Sequence, residues 1–207
     1  MAIDLHQIIV VYVAYVIAAG SPGPSNMRIM AMAMERGRRA GLFTSFGCVS
    51  GSIFWGMMTA TGVSALLANY ASALTVLKIL GGLCLLYIAI KAARSAATPN
   101  AAMKTVVTEK ASDTAYYRNG LLLHLSNPKS ILAWIALVTL GLRPQSGAAQ
   151  VAAILIGCFI LSVCVFCGYA LIFSTAPMVR LYQRSRRWIE GILAIFFAGA
   201  GIKLLTA

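Results

Sequence analysis

The chain has 207 residues, of which 60% are hydrophobic and 11% charged, and it carries a formal net charge of +12. That is too little polar material to cover a soluble globule of this size, so the composition indicates an integral membrane protein. The positive charge does not indicate a nucleic-acid partner, because no basic stretch is interleaved with the exposed aromatics that single-strand binding requires.

A membrane helix needs about 20 apolar residues, and six such segments can be read, at 5–34, 42–68, 71–93, 118–141, 149–175 and 188–206. The amino terminus "MAIDLHQ" lacks a basic start, and its apolar run outlasts a cleavable signal. It is therefore counted as the first span, with no cleavage expected.

The first span is interrupted by "SPGPSN" at 21–26. Pro22 and Pro24 lack amide hydrogens and Gly23 permits unusual dihedrals, so the helix is expected to break there. Ser25 or Asn26 is expected to cap a new helix running through "MRIMAMAM". In the second span, "FGCVSG" at 46–51 supplies small residues for close helix approach, as does "AGAG" at 198–201 in the sixth. After the third span, residues 95–116 are alanine-rich, polar and mixed in charge, which reads as a flexible linker.

The fourth span contains "LHLSNPKSILAW", where Asn127 is a natural N-cap and Pro128 suits the first helical position. In the fifth, "CVFC" at 164–167 has the spacing of a redox motif but no soluble strand–helix context, so all five cysteines read as small apolar packing residues.

Lipid offers no hydrogen-bond partners, so a broken helix must face protein or a water-filled cavity. Pro22 lies about midway along its span, and Pro128 lies ~10 residues, or about 15 Å, into a core ~30 Å thick. Both breaks are expected near the midplane, and each creates a helix N-terminus worth about half a positive charge. Two such ends facing one cavity suit a small carboxylate, with carbonyls freed at the breaks available for an ammonium group.

Three ionisable residues lie beside the breaks. Lys129 near the bilayer centre reads as a site residue, as a structural donor to carbonyls released by the break, or as a snorkelling side chain. Arg28 reads either as a carboxylate clamp or as a residue snorkelling to lipid phosphate. His124, one turn before the second break, titrates near neutrality in water and is the proton-coupling candidate, against a plain hydrogen-bonded core histidine. No carboxylate reads as mid-span: Asp4, Glu35, Glu109, Asp113 and Glu190 fall at helix ends or in the long third loop, with Glu35 and Glu190 expected to pair with basic loops.

Twelve of the 17 basic residues lie in or beside the first, third and fifth connections, which include Arg36, Arg38 and Arg39, then Lys91 to Arg118, then Arg180 to Arg187. The second connection has none and the fourth only Arg143. By the positive-inside rule the basic loops are cytoplasmic and both termini outside.

The chain also repeats itself. Pro22 corresponds to Pro128, Gly47 to Gly157 and Gly82 to Gly191, at offsets of 106, 110 and 109. The expected fold is an all-α integral membrane protein of six transmembrane helices arranged as two inverted three-helix repeats, with helices 1 and 4 broken at their proline motifs. Its units are 1–94 and 117–207, joined by the linker 95–116.

Together, "SPGPSN", "ERGRRAG" at 35–41, "LKILGGLCLLYIAIKAAR" at 77–94 and "RNGLLLHLSNPKS" at 118–130 resemble the LysE/RhtB family of bacterial amino-acid exporters. The resemblance covers essentially the whole chain. It implies a six-helix carrier of the bacterial inner membrane that expels amino acids, driven by the proton gradient, with no catalytic activity and no cofactor. The family's motifs fall on Pro22, Gly23 and Pro24, and on Asn127, Pro128 and Lys129. Two departures concern substrate identity: the aromatic after the second motif is delayed to Trp134, and Arg28 stands where an apolar residue is expected.

The candidate substrate-binding residues are therefore Ser21, Pro22, Gly23, Pro24, Ser25, Asn26, Arg28, Asn127, Pro128 and Lys129, with His124 for proton coupling and no metal ligands. The expected partners are a small amino acid and the lipid bilayer, with no nucleic acid; a homodimer is left open. Two rivals belong to other classes: a heavy-metal cation exporter, which two histidines and a cationic cavity disfavour, and a thiol–disulfide electron carrier, which would need paired cysteines beside the prolines.

Overall fold

In a computed structural model, the chain is described over residues 4–69, 73–98, 112–141 and 146–206. These residues form eight helices: α1 (Leu5–Gly20), α2 (Pro24–Arg36), α3 (Arg38–Asn69), α4 (Ala73–Ala97), α5 (Asp113–Leu125), α6 (Pro128–Gly141), α7 (Ala148–Ile172) and α8 (Ala176–Thr206). Four segments are long and apolar enough to cross a membrane, at Arg38–Gly62, Ile79–Ala97, Ala148–Ile172 and Arg184–Thr206. The pairs α1–α2 and α5–α6, bent by 55° and 61°, bring the number to six when each pair is one span.

Local chemistry sets the helix ends. Asp4 caps α1 by accepting from the Gln7 amide at 3.1 Å. The helix stops after Gly20 because Ser21 precedes a proline and is pushed to extended backbone, φ −69° and ψ 141°. Gly23 precedes Pro24 and is extended as well. Between α2 and α3 the chain turns on Gly37 alone, whose φ of +86° favours glycine. Ser112 caps α5 by accepting from the Ala115 amide at 3.3 Å.

Two expectations about the connections are corrected. Residues 180–187 are not a loop: they form an early part of α8, which begins twelve residues before the expected apolar span at 188. The 95–116 linker is shorter at both ends, because α4 runs through Ala97 and α5 starts at Asp113; residues 99–111 lie outside the described residues, as does Arg143.

The broken helices occupy the middle of the molecule. Val11 and Tyr15 of α1 pack with Trp134, Leu137 and Val138 of α6 and with Ile154 and Cys158 of α7. Ala18 of α1 and Ala133 and Ala136 of α6 pack instead with Leu85, Ile88 and Ala89 of α4 and Phe197 and Leu204 of α8. The outward faces carry apolar side chains such as Ile156, Ile160, Ile192 and Ile195, which suits a lipid surround.

Glycine sets the closest crossings. A Cβ at Gly47 of α3 would lie 2.0 Å from the Tyr117 carbonyl of α5, and one at Gly120 of α5 would lie 2.2 Å from the Thr44 carbonyl of α3. A Cβ at Gly157 of α7 would strike Tyr12 Oη of α1 at 2.0 Å. Gly82 is less tight, a Cβ there meeting Leu205 of α8 at 2.6 Å and the Gly201 carbonyl at 3.0 Å, whereas its proposed counterpart Gly191 faces open space.

Candidate functional site

The site is best built from the carbonyls that an interrupted helix leaves without partners. A helix leaves its last four carbonyls unpaired, and inside a membrane each must find a donor. At the end of α1 every one does. The Ile17 carbonyl takes the Ser21 amide at 3.0 Å, and the Ala18 carbonyl takes Ser21 Oγ at 2.9 Å. The Ala19 carbonyl takes Asn26 Nδ2 at 2.7 Å, and the Gly20 carbonyl takes the Tyr169 hydroxyl of α7 at 2.6 Å.

The next two carbonyls are served from the other break. Lys129 Nζ donates to the Ser21 carbonyl at 2.8 Å, to the Pro22 carbonyl at 3.3 Å and to the Ser21 hydroxyl. Asn26 Nδ2 adds a second bond to the Ser21 carbonyl at 2.9 Å. A Cβ on Gly23 would lie 3.1 Å from Lys129 Nζ, tight enough to displace it, so the glycine leaves room for the ammonium.

At the first break this corrects the expectation that freed carbonyls stand open for an ammonium group, since the protein's own donors already occupy them. It also corrects the cap. Gly23, not Ser25 or Asn26, is the N-cap of α2, and no side chain caps it. With Pro24 in the first helical position, Ser25 and Asn26 fall inside the first turn, and Asn26 reaches backward to close α1.

The second break is closed differently. Asn127 Oδ1 accepts from the Lys129 amide at 3.1 Å, and the Asn127 carbonyl accepts from the Ser130 amide at 2.9 Å. Asn127 Nδ2 donates to Ser25 Oγ at 3.3 Å, and Ser25 Oγ bonds His124 Nδ1 at 3.1 Å. His124 is buried, and its ring meets Phe166 edge-on at 5.4 Å. The two proline-bearing stretches therefore touch directly, through Lys129 on one side and the Ser25–Asn127–His124 cluster on the other.

The two new helix ends differ as anion sites. The first amides of α6 are satisfied by Asn127. Among the described residues no acceptor takes the Ser25 and Asn26 amides at the start of α2, so that end keeps unpaired donors, of the kind that bind an anion, beside the smaller of two cavities.

Two cavities adjoin the breaks. The larger, of about 1100 Å³, lies between α2, α4 and α8, and its walls include Pro22, Pro24, Arg28, Lys91, Arg186 and Glu190. Its rim carries the exposed Arg180, Arg184 and Arg187 of α8. The smaller, about 40 Å³, reaches inward past Ser25 and His124 to Tyr15, Ser52 and Trp134. Ser21, Gly23 and Lys129 line both, and Lys129 stands at the neck between them.

Beyond the small pocket the interior is closed by hydrogen bonds between four elements. The Tyr15 hydroxyl of α1 bonds Ser52 Oγ of α3 at 2.9 Å and also Ser162 Oγ of α7, while Trp134 Nε1 of α6 donates to Ser52 Oγ at 3.1 Å. Reading the sequence missed this cluster. A signal was present: Ser52 and Ser162 are 110 residues apart, the offset that separates Gly47 from Gly157, and their hydroxyls meet at 3.5 Å.

Glu190 is a second correction. It is neither at a helix end nor in a loop but within α8, 5% exposed, with Oε1 accepting from Ser95 Oγ of α4 at 3.0 Å and lying 3.9 Å from Arg186 Nε. Arg186 is the basic partner expected for Glu190, whereas Glu35 Oε1 is buried with no hydrogen-bond partner among the described residues. The five cysteines are free, and Cys48 and Cys158 are fully buried in the core.

Interrupted helices meeting beside an internal chamber in a multi-pass helical membrane protein define a translocator-type architecture. The chain belongs to the LysE type translocator family, whose model matches residues 16–207. It is similar to the threonine efflux protein of Salmonella typhi, 29% identical over 198 residues that cover 95% of this chain and 96% of that one. The threonine efflux protein of Escherichia coli (strain K12) is 26% identical with the same coverage. An uncharacterized membrane protein of Haemophilus influenzae is 28% identical over 89% of each chain. No solved structure matches.

Proposed function

We propose that this protein is a secondary exporter of small amino acids or close derivatives, working by proton antiport from the cytoplasm of a bacterium across its inner membrane. The observation that carries the reading is the contact of Lys129 with the Ser21 and Pro22 carbonyls, which brings both breaks and one cation to the neck of a chamber. The names of the efflux relatives, matched over nearly their whole length, make threonine the first substrate to try.

The substrate's carboxylate would sit at the open N-terminus of α2, on the Ser25 and Asn26 amides, with the Lys129 ammonium drawn toward it. A volume of about 1100 Å³ accommodates an amino acid with its water, whereas about 40 Å³ has room for only two or three waters. The substrate would therefore enter the larger chamber first and pass Lys129 when the small pocket opens.

Alternating access would come from one three-helix unit, 1–94, rocking against the other, 117–207. The packing of α3 on α5 and of α7 on α1 supports that division, since each long helix then lies against the first half-helix of the opposite unit. The Ser52–Ser162 contact, between residues at the repeat offset, supports it too. Basic connections in the cytoplasm and both termini outside complete the proposal.

The test is efflux of each labelled amino acid from cells loaded with dipeptides, with wild type beside Lys129→Ala. Export of one or a few small amino acids, lost in the variant while the protein still inserts, is the expected outcome. Export of none by wild type overturns the reading.

A further inference from the structure

We propose that Glu190 receives the ammonium group of the substrate in the larger chamber; this rests on the amino-acid reading above. Four observations lead there. First, Glu190 is the one carboxylate among the described residues lining that chamber, whose other charged walls there are lysine and arginine, Lys129 among them. A zwitterion held by its carboxylate at the α2 end has its ammonium among like charges unless an anion answers it.

Second, the first break does not answer it: the carbonyls from Ile17 to Pro22 are all taken by Ser21, Asn26, Tyr169 and Lys129.

Third, Glu190 is only half used. Its Oε1 takes the bond from Ser95 and is the atom nearest Arg186 Nε, at a separation too long for a hydrogen bond. Among the described residues no donor reaches Oε2. Glu190 lines the chamber, so that oxygen is available to accept from a ligand there.

Fourth, its position is fixed. Ser95 of α4 anchors it, and Arg186 is itself bonded to Ser95 Oγ at 2.8 Å, so the carboxylate is oriented before any substrate arrives.

The experiment uses the full-length carrier in liposomes, with counterflow of labelled threonine competed by unlabelled threonine and by 2,3-dihydroxybutanoate. The second compound keeps the carboxylate and side chain but replaces the ammonium with a hydroxyl. In wild type, threonine is expected to compete roughly 10- to 100-fold better than the dihydroxy acid, the worth of one charge-assisted hydrogen bond. In Glu190→Gln, threonine weakens by about that factor, the dihydroxy acid does not, and the ratio falls to within about threefold.

A purely structural role for Glu190 predicts something else: both competitors change together and the ratio stays at its wild-type value, which overturns the proposal. Should Glu190→Gln fail to insert, Glu190→Asp is read in its place. The shorter carboxylate is expected to lower the ratio partway, and an unchanged ratio again overturns it. If wild type moves no amino acid, the substrate reading itself has failed, and this inference with it. If wild type moves threonine and the ratio survives the substitution, only the assignment of Glu190 falls.

Discussion

Lys129 serves the structure and, on the proposed reading, the substrate, and Lys129→Gln separates the two. Its ammonium holds the Ser21 and Pro22 carbonyls at 2.8 and 3.3 Å. The Ser21 carbonyl keeps a second donor in Asn26 Nδ2, so removing the ammonium leaves only the Pro22 carbonyl unpaired. An unsatisfied buried acceptor costs about 1–3 kcal/mol. A lysine at mid-membrane itself costs roughly 2.5–3.5 kcal/mol on insertion scales. Glutamine, one atom shorter and neutral, removes that second cost and can still offer one donor to the break. The two changes nearly cancel, so the variant is expected to insert at wild-type levels and melt close to wild type. The charge-assisted contact with a substrate carboxylate is lost outright, at about 1.5–3 kcal/mol or roughly 10- to 150-fold in affinity. In liposomes loaded with labelled threonine, efflux by Lys129→Gln should show a KM raised by that factor at equal protein. A KM equal to wild type would refute the reasoning, leaving Lys129 as a structural donor and no more.

Gly47→Ala tests whether the glycine crossing positions the site. The added Cβ lies 2.0 Å from the Tyr117 carbonyl, whereas carbon–oxygen contacts need about 3.3 Å, so α3 and α5 must part by roughly 1.3 Å. A loss of about 1–3 kcal/mol in stability is expected, seen as a lower melting temperature in detergent, and an unchanged melting temperature contradicts the crossing. Tyr169→Phe removes the donor to the Gly20 carbonyl at 2.6 Å and leaves a buried acceptor bare. It should destabilise the carrier by about 1–3 kcal/mol in the same assay, and a neutral effect would show that water or another donor closes α1.

The breaks were legible in the sequence because their chemistry is local. A proline cannot donate and pushes its predecessor toward extended backbone, so Ser21–Pro22 and Gly23–Pro24 each signal a break from two adjacent residues alone. Asn127 ahead of Pro128 is equally local, and its side chain accepts from the Lys129 amide as a cap should. Asn26 was misread because its role is settled by demand elsewhere. With Pro24 at the first helical position it was too far in to cap α2, and the bare carbonyls of Ala19 and Ser21 claimed it instead. Tyr169 could not be read at all, since it comes from α7, 149 residues beyond the carbonyl it serves.

Glu190 shows why charge spacing misleads near a membrane surface. Arg184, Arg186 and Arg187 beside it look like a basic loop, and a hydropathy reading starts the span after them. In the fold they continue one helix from Ala176, so successive charges point in different directions around its axis. Arg187 is exposed, while Glu190, only three residues on, is buried against α4 through Ser95. Burial of the carboxylate thus follows from helical rotation together with the neighbouring helix, neither of which a linear charge count contains. The same reasoning distinguishes the two breaks. Both have a proline at the first helical position, yet Asn127 closes the amides of α6 while extended Gly23 has no side chain with which to close those of α2. On the proposed reading, a carboxylate therefore has one helix end to bind, not two, and Lys129 is tethered beside it by the carbonyls of Ser21 and Pro22.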